Sequence, residues 1–118
     1  MNANEHKESD RPARPPRCFE EKYGEPAFSL RIYFANGHQR SLSWPRYIEA
    51  FFDGEKLQIM FAECEITVIG KNLVPVIDAI CESRLECLRE LPPEYGVLAD
   101  DKTFVKKIEV RRRVEKEM

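Results

Sequence analysis

Residues 57–91 read LQIMFAECEITVIGKNLVPVIDAICESRLECLREL, and the change of period within this stretch sets the fold class. Leu57, Ile59 and Phe61 alternate with Gln58 and Met60, the period of two expected of a strand with one buried face. A reversal at residues 62–65 leads into a second strand over 66–69. Gly70 ends that strand, and Asn72 is placed to cap a helix with its side-chain oxygen. Pro75 falls in the first helical turn, where a missing N–H costs nothing. Leu73, Val76, Ile77 and Ile80 then share one helical face. Beyond Ser83 two readings compete. Leu85, Leu88 and Leu91 continue the helical spacing, whereas residues 84–89 also suit a short strand with Leu85 and Cys87 facing inward. We read a helix to about Ser83 followed by a strand.

On the N-terminal side, Phe28, Leu30, Ile32 and Phe34 alternate with Ser29, Arg31 and Tyr33, again a strand with one buried face. Asn36-Gly37 follows, the sequence signal of a tight hairpin with a type I′ turn. The return strand over 38–44 places Leu42 and Trp44 together. Residues 45–47 read as a turn, and a strand over 49–52 pairs across Asp53-Gly54-Glu55-Lys56 with residues 57–61. After a loop over 92–102, Phe104, Ile108 and Val110 mark a last strand. The expectation is an α+β domain: an antiparallel sheet of five to six strands, able to curl toward a barrel, with one principal helix.

The 118 residues suit a single domain that folds without a disulfide or metal staple. Residues 18–110 form that domain in this reading. Residues 1–17 lack apolar periodicity and hold three of the eight prolines, the composition of a disordered arm. Pro12, Pro15 and Arg17 there match a polyproline-ligand spacing. Residues 111–118 read as a basic tail. The net charge of −2 offers no general attraction to polyanions, but it is unevenly spread: residues 18–100 carry eight basic and fourteen acidic side chains, and residues 101–118 carry seven and four.

Cys18, Cys64, Cys81 and Cys87 form no C-x-x-C pair and sit in apolar surroundings, so they read as small buried hydrophobes with reduced thiols. The N-terminus is polar with no apolar signal region, and no apolar run approaches the ~20 residues of a membrane span. These features point to a cytoplasmic protein with no membrane partner.

Candidate chemistry is sparse. His38 has no neighbouring carboxylate to orient it as a general base. The cysteine spacing does not provide a zinc set, and Glu63 and Glu65 beside Cys64 work against a thiolate. Asp78, Glu82 and Glu86 define a solvent-facing stripe if the helix continues past Ser83. Gly70-Lys71-Asn72 precedes a helix but lacks the remaining residues of a phosphate loop. No cofactor, metal or catalytic residue is expected.

The arrangement over 66–90, an apolar residue and T-V-I-G-K-N-L, then a helix, then R-L-x-C-L-R-E, resembles small bacterial domain families of unknown function. That resemblance implies a β-rich half followed by a strand, a glycine-introduced helix and a further short strand; it carries no activity. In architecture the chain is also similar to Sm-like and pleckstrin-homology-like barrels, an analogy of fold alone.

Tyr33, Trp44, Tyr47, Phe51 and Phe52 supply more aromatic surface than one packed face requires, and aromatic residues are favoured at interfaces. The expected function is therefore a non-enzymatic module for self-association or a protein partner, with Tyr33, Tyr47 and Phe52 as its surface. The alternative is a small nucleic-acid-associated protein that uses Lys106, Lys107, Arg111, Arg112 and Arg113 to contact phosphates.

Overall fold

A computed structural model describes residues 17–95 and 102–113. The elements in chain order are β1 (Phe19–Glu21), β2 (Ser29–Tyr33), β3 (Gln39–Ser43), a 3-10 turn (Trp44–Arg46), β4 (Tyr47–Phe52), β5 (Lys56–Phe61), β6 (Cys64–Lys71), α1 (Val74–Cys81), β7 (Leu85–Arg89) and β8 (Phe104–Arg112). The strands form two four-stranded sheets, in the orders β1-β7-β2-β3 and β4-β5-β6-β8.

Alternation of apolar residues builds each inner face. Leu57, Ile59 and Phe61 of β5, Ile66 and Val68 of β6, and Leu30 and Ile32 of β2 are all fully buried. They share one core with Val76, Ala79 and Ile80 of the helix and Leu85 and Leu88 of β7. The reading of residues 84–89 as a strand holds. The helix stops because Ser83 takes a left-handed conformation (φ 58°). The Ser83 N–H then bonds the Ile80 carbonyl and the Arg84 N–H bonds that of Ala79, the two bonds of a Schellman stop.

The expected single antiparallel sheet is corrected. Among the described residues there are two sheets and no closed barrel, and the first sheet is mixed: β7 runs antiparallel to β1 and parallel to β2. Helix α1 carries the chain from β6 in one sheet to β7 in the other, so β7 enters alongside β2 in the same direction. The sheets meet at two corners. At one, the Glu90 N–H bonds the Tyr33 carbonyl and the next amide, Leu91, bonds Val105. At the other, Trp44 bonds Phe28 and Ala62 bonds Arg46.

Three local expectations also change. The β2–β3 loop is not a two-residue type I′ turn. Gly37 N–H reaches the Phe34 carbonyl, Phe34 N–H reaches that of His38, and only Gly37 has positive φ (94°), so the loop has three residues with the glycine in the left-handed position. Asn72 does not cap the helix, because Leu73 occupies the cap position. Asn72 instead holds residues 102–103, its Nδ2 donating to the Lys102 carbonyl (3.0 Å) and its own carbonyl accepting from Thr103 Oγ1 (2.7 Å). Gly70 lies within β6, which continues to Lys71.

Glu90 joins the two sheets through its side chain. One carboxylate oxygen accepts from the Ala35 N–H and the other from the Ile108 N–H, both at 2.7 Å. Glu90→Gln replaces one acceptor with a donor facing an N–H. Hydrogen bonds to charged groups contribute about 1.5–3 kcal/mol, so this variant is expected to lose about 2 kcal/mol in urea unfolding.

Candidate functional site

Among the described residues, strand β4 lies at an edge of its sheet, paired only with β5. A bulge between Tyr47 and Glu49 adds Ile48 to the strand and resets its parity. Past the bulge, Ala50 and Phe52 pair with the buried residues Ile59 and Leu57, while Glu49 and Phe51 pair with Met60 and Gln58 on the outer face. Phe51 is consequently 60% exposed and Ile48 54%. The same outer face carries Glu65, Thr67 and Ile69 of β6 and Lys107, Glu109 and Arg111 of β8.

The root of β4 is held rigidly. Trp44, Tyr47 and Phe61 form an aromatic cluster with ring centroids 5.2–6.0 Å apart. The Trp44 indole N–H donates to the Leu85 carbonyl (2.8 Å), tying this corner to the other sheet. Arg46 pairs with Glu63 at 2.8 Å, and this guanidinium draws the Glu63 carboxyl below its ordinary range. At the far end the Asp53 carboxylate accepts the Glu55 and Lys56 N–H groups, each at 2.9 Å, and these bonds hold its pKa down.

The three aromatic residues expected to form one surface do not share a face. Tyr33 lies on the outer face of the mixed sheet, half-buried beneath the Arg89 guanidinium at 4.4 Å. Tyr47 and Phe52 lie on the inner side of β4 and pack against the core. The exposed apolar residues at the edge are their neighbours Ile48 and Phe51. The sequence held a signal for Phe51: it shares strand parity with Glu49, and a charged residue marks the outer face. The bulge that exposes Ile48 had no such marker.

The basic residues are distributed rather than gathered. Lys107 and Arg111 lie on the outer face, interleaved with Glu109 and opposite Glu65, and Lys107 pairs with Glu109 at 3.5 Å. Lys106 is the extra residue at the shift in register. Arg113 donates to the Phe61 carbonyl (3.2 Å). Arg111 and Arg112 belong to β8 rather than to a tail. The polyproline spacing at Pro12 and Pro15, and residues 114–118, lie outside the described residues.

Cys18, Cys64 and Cys87 are buried, but Cys81, at the end of α1, is exposed, a departure from the expected burial of all four. Burial raises the pKa of the Cys18, Cys64 and Cys87 thiols, that of Cys87 to about 11. Thiols so shifted are protonated at neutral pH and poor nucleophiles. His38 is exposed beside the hairpin loop. Among the described residues no three His, Cys, Asp or Glu side chains are gathered as a metal site would need, and no helix is long and apolar enough to cross a membrane.

Comparison of the chain with protein-family models, with curated proteins and with solved structures returned no match.

Proposed function

We propose that the protein is a non-enzymatic interaction module that binds a protein partner, or another copy of itself, by strand addition at β4. The observation that carries this reading is the pair of exposed apolar side chains, Ile48 and Phe51, on a strand that, among the described residues, is hydrogen-bonded on one side only. An open apolar edge invites pairing and aggregation unless a partner covers it. Main-chain bonds along such an edge supply affinity, and alternate side chains supply selectivity. Of the described edges, β1 has three residues, and β3 presents Gln39, Arg40 and Ser41, all exposed and polar. On β8, the Ile108 N–H is occupied by Glu90 and the Val105 carbonyl by Leu91.

The test is affinity capture with the full chain and with the Ile48→Ser/Phe51→Ser variant, each with and without nuclease. The expected result is protein capture that survives nuclease and is lost in the variant, with the fold intact by circular dichroism. Capture that vanishes with nuclease, and follows Lys106 and Arg112 instead, would replace this reading with the nucleic-acid one.

A further inference from the structure

Resting on the reading of β4 as a binding edge, we infer that its occupant is the β4 strand of a second copy, run antiparallel about a two-fold axis at Ala50. The two antiparallel sheets then join into one of eight strands.

The direction follows from charge. β4 starts beside Arg46 and ends beside Asp53 and Glu55. A parallel neighbour would set like charges together at both ends. An antiparallel copy brings Arg46 against the acidic turn of its partner, twice by symmetry. Edge-to-edge pairing of identical strands about a two-fold axis has this same antiparallel sense.

The register follows from the hydrogen-bond pattern. The Asp53 N–H bonds the Lys56 carbonyl, so residues 53 and 56 form a hydrogen-bonded pair. Antiparallel pairs alternate, so Phe51 and Glu49 turn their N–H and C=O groups toward β5, and Ala50 and Phe52 turn theirs outward. Two symmetric registers keep both Ala50 and Phe52 available to the ladder, with the axis at Ala50 or at Phe51. An axis at Phe51 would set Glu49 opposite the partner's Asp53, a like-charge contact. An axis at Ala50 sets Glu49 opposite the partner's Phe51 and, across the bulge at Ile48, brings Arg46 to the partner's acidic turn at Asp53. Charge therefore selects the axis at Ala50.

Because position 49 of one copy faces position 51 of the other, charges placed there report the register. Sedimentation equilibrium of the full chain is expected to show a dimer. Phe51→Glu opposes Glu49 of the partner subunit and is expected to weaken the dimer by roughly tenfold or more, whereas Phe51→Lys gains an opposite charge and should stay within about threefold of the native chain. Glu49→Lys/Phe51→Glu should restore the dimer that Phe51→Glu loses. Glu49→Lys/Phe51→Lys provides a second like-charge variant should Phe51→Glu fail to fold, and it should weaken the dimer similarly. A monomeric native chain overturns the inference. So does equal weakening by Phe51→Glu and Phe51→Lys, which would place the axis at Phe51, and so does indifference to all four variants. A monomer that still captures a protein through Ile48 and Phe51 would sink this inference alone and leave the binding reading standing.

Discussion

Gly70→Ala is expected to destabilise the domain by about 3 kcal/mol or more, because the added methyl group has nowhere to go. A Cβ built at Gly70 lies 1.9 Å from the Phe104 carbonyl oxygen and 3.1 Å from the Val105 Cα. Both are main-chain atoms, so no rotamer change relieves the contact. The strands come this close where β8 shifts register against β6, between Ile69 and Gly70. Relief requires β8 to move away, and β8 also carries the Ile108 amide held by Glu90 and the Val105 carbonyl that receives Leu91. In a domain of this size such a loss lowers the thermal midpoint by on the order of 10–20 °C. Gly37→Ala is the control. It meets no atom within 4 Å and should cost only the left-handed backbone penalty of about 1–2 kcal/mol. Equal losses at the two sites would refute the steric argument.

Phe61→Ala is expected to cost about 3–5 kcal/mol in urea unfolding, the usual range for deleting a buried aromatic ring. Phe61 is fully buried, and its ring lies 5.3 Å from Trp44 and 6.0 Å from Tyr47. Removing it opens a void beneath the two side chains that set the start of β4, and beside the Trp44 bond to Leu85 that links the sheets. Phe61→Leu, which refills most of that volume, should recover over half of the loss. Tryptophan fluorescence should report a loosened Trp44 in the alanine variant before global unfolding. An unchanged emission spectrum with a loss below about 1 kcal/mol would mean that the cluster does not support this corner.

Both effects depend on neighbours distant in sequence, and this sets how far the residues could be read in advance. The β5–β6 hairpin and Pro75 in the first turn of α1 rest on contacts within a few residues and follow from local pattern. Residues 85–89, by contrast, suit helix or strand locally and are fixed as a strand by pairing with the distant β1 and β2. The helix stop was ambiguous because a serine takes the left-handed position that glycine usually marks. Asn72 has the right chemistry for a cap, but its side chain is drawn to residues 102–103, a contact across 30 residues. The short strand β1 carries too few residues to show a period, and only its pairing with β7 defines it.

For the proposed binding edge the division is similar. Aromatic excess in this region was visible, but which rings face outward was not. A bulge of one residue at Ile48 inverts strand parity, so Phe51 lies outside and Phe52 inside. By itself the sequence determined the α+β class, the places of most strands, the helix and the turn glycines, because steric preference and apolar period act over short spans. Only the tertiary structure decided that there are two sheets, that β7 lies between β1 and β2, and that β4 is left at an edge. Those outcomes depend on which strands pair across the chain, and pairing is governed by burial and backbone hydrogen bonds summed over the whole core, which no local stretch encodes.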